Sequence, residues 1–348
     1  YSHSIRKICC PTVNHFKMDR FIESLPKTET HLHIEGAIPW ELFELRFPGE
    51  FPKVPEFRMP DFRYDDFQQF EKILISHALR VIKCPDDYAE VAKMLFAKQL
   101  SQNISYVELS FHAGMIEFLK IRGEDIIQAI RSVVPDGLDV RIFMGMSRDS
   151  YTSFLGPLLE EAVENWEGLY GIDLHGPEDL PTKDWMPRLW SIAHANGRVL
   201  KAHAGEFGSA QNVKWAVEKL GVKRIQHGIH ASSDETVLDL LAEKGVVLDL
   251  CPISNYKLRV FDNWDDYPIR KFLKKGIRFT ISTDDPFSFG NCLNDEYKYL
   301  VRYMDFSAAE IAEIAKTGFD TSDLQDYQKK ESMNQIDHLL SLEEGNRL

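Results

Sequence analysis

Eight short apolar runs recur along this chain, each ending in polar or small residues and each separated from the next by enough chain for a helix. They are KTETHLHIEG (27–36), ISYVELSFH (104–112), DVRIFMGMSR (139–148), LYGIDLHG (169–176), RVLKAHAGE (198–206), KRIQHGIH (223–230), GVVLDLCPISN (245–255) and IRFTISTDDP (277–286). Most are of strand length and rich in β-branched or aromatic residues. Stretches of helical spacing lie between them, such as Ala210 to Leu220 and Ser233 to Lys244; in the latter, Val237, Leu240 and Leu241 fall at i, i+3 and i+4. Strand–helix alternation repeated eight times predicts an α/β protein whose parallel sheet closes into a (β/α)8 barrel of the TIM type. The competing open, doubly wound sheet usually carries a Gly-rich phosphate loop after its first strand, and none follows here.

One connection is far longer than a crossover helix requires: 67 residues separate Gly36 from Ile104. It contains Trp40, Phe43, Phe47, Phe51, Phe57, Phe62, Tyr64, Phe67 and Phe70. Such a stretch reads as extra helices inserted after strand 1 over the barrel mouth. Most of its rings would pack the inserted layer, and one or two would wall an apolar ligand pocket. The tail after Tyr303 reads as C-terminal helices, including Ala308 to Thr317. Residues 18–348 are expected to form a single domain, opening with a helix at Met18, and residues 1–17 a poorly ordered extension.

The 41 Lys and Arg residues face 54 Asp and Glu, a formal net charge of −13. That balance opposes general binding to nucleic acid, whose phosphates call for a basic surface. The five cysteines (Cys9, Cys10, Cys84, Cys251, Cys292) form no C-x-x-C pair and are odd in number, which suits reduced thiols in a cytoplasmic protein. No apolar run approaches the ~18 residues of a membrane span. The expected partner is a small-molecule substrate; the oligomeric state is left open.

His31 and His33 lie two apart on the first run, so both side chains share one face. In a barrel that face is the interior, and the C-terminal end of the strand is the catalytic mouth. Two neighbouring imidazoles repel if both are charged; a shared metal removes the conflict by taking both as neutral ligands. His203 ends the fifth run, His227 lies in the sixth, and Asp284 and Asp285 end the eighth. All converge on one rim. Three imidazoles and one carboxylate make a nitrogen- and oxygen-rich set suited to zinc, with an open position for a water whose pKa the ion would lower. The remaining acids and the spare histidine supply the proton transfers that hydrolysis requires.

The segments T-H-L-H-I-E-G, H-A-G-E, Q-H-G and T-D-D-P, in this order and at these separations, resemble the adenosine/adenine deaminase family of the metal-dependent amidohydrolase superfamily. The resemblance runs from about Leu25 to Tyr297 and includes G-I-D-L-x-G-x-E in the fourth run. It implies a (β/α)8 barrel with one zinc per chain, held by His31, His33, His203 and Asp284. It implies that Glu206 gives a proton to the purine nitrogen beside the reacting carbon, and that His227 orients the attacking water and helps to deprotonate it. Asp285 would hydrogen-bond the far side of the purine, the N–H of Gly176 would meet another ring nitrogen, and Glu178 would support the site from behind. Glu206 must begin protonated for this role, so burial or a neighbouring carboxylate must raise its pKa.

Some positions depart from the adenosine branch. Glu35, a substrate-binding candidate, stands where adenosine deaminases usually carry Asp and adenine deaminases often carry Glu, and SNYKLRVF (254–261) is also more similar to the adenine branch. Against that, GIDLHGPE is more similar to the adenosine branch, except that His175 replaces a usually small residue. Lys201 shares the inward face with His203 and reads as a buried cation paired with an acid. Arg148 either meets an anionic group on the substrate or pairs with Asp149 or another rim acid. The expected reaction is zinc-dependent hydrolytic deamination of a 6-aminopurine, adenosine-type or adenine, to the 6-oxopurine and ammonia. A modified adenine or an adenine nucleotide is the alternative substrate. Another amidohydrolase chemistry, or a non-catalytic binding protein on the same scaffold, are the further readings; Glu206 and Asp285 favour a purine, and the complete ligand set favours catalysis.

Overall fold

The computed structural model describes residues 13–345. All eight runs contain strands: β1 (Lys27–His33), β2 (Ile104–His112), β3 (Asp139–Ser147), β4 (Leu169–His175), β5 (Val199–Ala204), β6 (Arg224–His227), β7 (Val247–Leu250) and β8 (Phe279–Ile281). They pair in parallel and in chain order within one sheet. The circle closes where Leu32 bridges Asp284, the His33 N–H donating to the Asp284 carbonyl at 3.2 Å and the Asp284 N–H to the His31 carbonyl at 3.0 Å. Helices cover the outside, giving the (β/α)8 barrel expected from the alternation. Most strands are shorter than their runs because the last residues of each run leave the ladder and carry functional groups into the mouth.

The helices form where local chemistry starts and stops them. The helix expected after Ser233 spans Glu235–Lys244, is capped by the Asp234 carboxylate accepting from the Thr236 N–H, and ends at Gly245 with φ +61°. It buries Val237, Leu238 and Leu241. The long connection after β1 holds the helix Trp40–Arg46, a short 3-10 turn Glu56–Arg58, the helix Phe67–Val81 and the crossover helix Pro85–Leu100. Most of its rings pack on one another: Trp40 stacks on Phe43 with centroids 4.9 Å apart. Phe67 and Phe70 reach the cleft in the mouth. The C-terminal helices are Leu293–Met304, Ala308–Thr321 and Asp326–Gly345. Ala308–Thr321 lies directly on β1, where a Cβ at Gly318 would fall 2.0 Å from the Thr28 Oγ1.

The first helix spans Val13–Ser24, so it begins before the expected Met18; residues 1–12 of the expected extension lie outside the described residues. Among the described residues no helix is long and apolar enough to cross a membrane.

Candidate active site

Three imidazoles and a carboxylate meet at the C-terminal end of the barrel. The Nε2 of His31 lies 3.2 Å from that of His33 and 3.0 Å from that of His203, and the His33 and His203 Nε2 atoms are 3.3 Å apart. Asp284 Oδ1 stands 3.3 Å from His31 Nε2 and 3.4 Å from His33 Nε2. These atoms come from β1, β5 and the loop after β8, and His31 and His203, whose ring nitrogens face one another, are 172 residues apart in sequence. Three ring nitrogens turned inward cannot satisfy one another, since each neutral imidazole carries a single proton. Their spacing is that of neighbouring ligands on one ion with bonds of about 2.0–2.2 Å, and the donor set suits zinc. The electrostatics agree: burial works against charge on His33, yet Asp284 and Asp285 override it and raise its pKa to about 9. Burial and the neighbouring His31 and His33 rings instead hold His203 well below its ordinary value, so the imidazoles do not share positive charge evenly.

The rings are held from behind. Cys251 Sγ lies 3.3 Å from His31 Nδ1. Asp173 Oδ2 lies 3.0 Å from His203 Nδ1, close enough to fix the ring although off the line of a hydrogen bond. The Ser254 hydroxyl donates to Asp284 Oδ2 at 2.7 Å. Asp284 and His227 both sit in the left-handed region, at φ +64° and +62°. Non-glycine residues are strained there, a cost of order 1–3 kcal/mol met elsewhere in the fold and typical of functional sites.

His227 is not in the four-donor cluster. Its Nε2 faces Glu206 Oε1 at 3.5 Å and Asp284 Oδ2 at 3.9 Å. The Asn255 amide donates to its Nδ1 at 3.1 Å, and the Tyr267 hydroxyl, donating to Asn255 Oδ1 at 3.3 Å, fixes which way that amide points. The ring proton therefore sits on Nε2. Burial and the neighbouring His31 hold the His227 pKa well below its ordinary value, so it is neutral.

Glu206 is buried, and burial first, then the charges of Asp284, Glu178 and Asp285, raises its pKa well above the usual carboxylate range. Glu178 shapes the segment that carries it: its two oxygens accept from the backbone N–H groups of Gly205, Glu206, Phe207 and Gly208 at 2.7–3.2 Å. Asp285 is raised likewise, by burial and by Asp284. Its Oδ1 is buried without a protein partner among the described residues, and it rests against Gly36, where a Cβ would fall 1.5 Å away.

A cleft opens over these groups. Glu35 and Gly176 line it, as do the apolar side chains of Phe67, Phe70, Leu74 and Ile75 from the inserted helix. Glu35 is held by the Tyr88 hydroxyl at 2.7 Å and the His112 N–H at 3.1 Å, and burial raises its pKa. His175 also faces the cleft, its ring 5.8 Å from that of His33 and 4.8 Å from that of His112.

Arg148 does neither thing expected of it. It is buried, and its guanidinium donates to the backbone carbonyls of His175, Gly176 and His203 at 2.7–3.0 Å, tying the ends of β3, β4 and β5 together. Asp149 accepts from the Ser147 hydroxyl instead. Sequence reasoning passed over His112, which ends β2 as His175 ends β4; the same strand-end logic finds it. Asn255, Cys251, Asp173 and Gly36 carried no comparable signal.

The barrel and its rim define a hydrolase of the amidohydrolase type. The family model described as adenosine deaminase matches residues 26–339, and the chain belongs to the adenosine deaminase family, whose members here are enzymes of purine deamination. An adenine deaminase of Chlorobium luteolum is 31% identical over 320 residues, covering 89% of this chain and 93% of that one. The crystal structure of adenine deaminase from Arthrobacter aurescens is 26% identical with a TM-score of 0.80, covering 91% of this chain and all (100%) of that one. An N6-methyl-AMP deaminase from Arabidopsis thaliana shares the fold at 20% identity, with a TM-score of 0.76 over 92% of this chain and 98% of that one.

Proposed function

We propose that this enzyme replaces the exocyclic amino group of a 6-aminopurine with oxygen, releasing ammonia, and that one zinc is held by His31, His33, His203 and Asp284. The observation that carries the proposal is the pairing of a four-donor cluster with a buried, raised carboxyl, Glu206, on one side and the unpartnered Asp285 Oδ1 on the other. When bound, the zinc supplies Lewis-acid activation of a water.

The protein does the rest. Asp285 Oδ1 accepts a hydrogen bond from, or donates one to, one edge of the purine, and Gly176 meets another, so the reacting carbon faces the cluster. His227 Nε2–H orients the attacking water. As the new C–O bond forms, charge develops on the ring, and the proton held by Glu206 passes to the adjacent ring nitrogen. The water's two protons complete the leaving amino group and restore the Glu206 carboxyl, so that the C–N bond breaks, neutral ammonia leaves and the ring keeps a C=O and an N–H. Tyr88 and the His112 N–H fix Glu35 at the cleft wall as a substrate contact.

Charge selects among the substrates. Among the described residues lining the cleft there is no Lys or Arg, whereas Glu35, Glu71, Glu206, Asp284 and Asp285 all contribute carboxyl groups. A nucleotide phosphate finds no lysine or arginine to pair with there. Uncharged substrates are favoured: adenine first, in line with Glu35 and with the adenine deaminases the chain resembles, then adenosine. An amine-release assay on zinc-loaded protein, reading ammonia from adenine, adenosine and AMP and methylamine from N6-methyladenine, tests this. Release from adenine or adenosine, with little from AMP, is the expected result; no release from any of the four overturns the proposal.

A further inference from the structure

Lys201 lies two residues before His203 on β5, so the two side chains share the inward face. It is only 2% exposed. Its Nζ crosses the barrel and donates to the carbonyl oxygen of Thr30 at 2.5 Å. Thr30 immediately precedes His31. In the circular order of the sheet β1 and β5 lie on opposite sides, and among the described residues no backbone hydrogen bond joins them. The ladder relates them only through the strands between, so a direct tie across the interior adds a constraint of its own. Thr30 is also tied to β8 and the residues just beyond it, its Oγ1 meeting the Thr280 and Ser282 hydroxyls at 2.7 and 3.0 Å. One layer beneath the ligand cluster, then, the strands and loop that carry His31, His33, His203 and Asp284 are joined at Thr30.

The cation that makes this tie is itself balanced. Lys201 forms a close ion pair with Glu108 on β2 and lies 3.7 Å from Asp249 on β7, with its Nζ 4.5 Å from the Phe143 ring centroid. Arg224 on β6 reaches the same two acids, at 2.7 Å to Asp249 and 3.3 Å to Glu108. Two cations and two carboxylates make a buried layer of zero net charge, without which the desolvation cost would be prohibitive.

We infer that Lys201 is a positioning residue for the metal centre: its bond to the Thr30 carbonyl fixes the separation of β1 from β5 and, through it, the 3.0 Å approach of the His31 and His203 ring nitrogens. This rests on the zinc site proposed above. A structural role confined to charge balance predicts something different, and the two separate in a pair of variants. Lys201→Met removes both the tie and a balancing charge. Lys201→Met with Glu108→Gln removes the tie but restores a neutral layer.

Zinc affinity is measured by competition with a chromogenic chelator on metal-free protein, and thermal unfolding is followed in parallel. The single variant is expected to unfold at lower temperature and to bind zinc on the order of tenfold more weakly, the scale on which groups supporting metal ligands act. The double variant is expected to regain stability and keep the zinc defect, and it carries the test even if the single variant does not fold. Zinc affinity at the wild-type level in the single variant, or recovered along with stability in the double, overturns the inference. Wild-type protein that binds no zinc overturns the proposed site instead.

Discussion

The barrel interior has two polar layers, and they differ in kind. In the lower one Lys201, Arg224, Glu108 and Asp249 answer one another, and Thr30, Thr280 and Ser282 add hydrogen bonds. In the upper one the His31, His33 and His203 nitrogens face each other with a lone carboxylate, and Asp285 Oδ1 faces none. Buried charges are costly unless paired, so opposite charges that answer one another stand without a ligand, whereas inward-turned imidazoles beside a carboxylate call for a cation. The lesson is that the layers differ in whether the protein itself balances their charges, two cations facing two carboxylates below, rather than in hydrogen bonding alone, since Arg224 Nε and Asp249 Oδ2 also lack a hydrogen-bond partner among the described residues.

That contrast is broken most severely by Glu206→Gln. It removes the proton and leaves the shape, so turnover should fall by roughly 10²–10⁴-fold while zinc content by elemental analysis stays at the wild-type level. Near-normal turnover would remove Glu206 from its role. Asp284→Ala takes away the one carboxylate of the four-donor cluster; a large loss of bound zinc after dialysis is expected, and full occupancy would refute the ligand set. Gly36→Ala should be milder, since its Cβ displaces the Asp285 carboxylate without removing it. A loss of about 10- to 100-fold in kcat/KM is expected, with the melting temperature little changed.

The pH profile sharpens the contrast further. Burial and neighbouring acids raise the Glu206 pKa, so its proton persists above the usual carboxylate range and is lost as pH rises through the shifted value. The kcat profile should fall on that alkaline side, and the fall should vanish in Glu206→Gln; a limb unchanged in that variant would assign it elsewhere. The smallest effect belongs to the surface: Lys98→Ala breaks an exposed pair with Glu41 and should shift stability by no more than about 0.5 kcal/mol, read by chemical denaturation.

Much of this was legible in the chain. Eight strands announced themselves through apolar, β-branched runs, and the cluster residues stood at run ends, where a barrel must bring them together. Period-two spacing placed His31 with His33, and Lys201 with His203, before any coordinates. What stayed hidden depends on approaches across the barrel rather than along a strand. Thr30 and Lys201 are 171 residues apart, and nothing local in either segment names the other. Arg148 read as a substrate or acid contact because sequence does not show backbone carbonyls, which are its actual partners. Gly36 carried no signal of its own, and only the placement of Asp285 against it shows why a side chain is excluded.

The most direct test of the open upper layer is a titration of chelator-stripped protein with zinc, with ammonia release from adenine followed at each step. Activity should start near zero, rise in proportion to added metal and level off at one zinc per chain. Full activity in the stripped protein, or a plateau reached only at two ions per chain, would contradict a single cation held by His31, His33, His203 and Asp284.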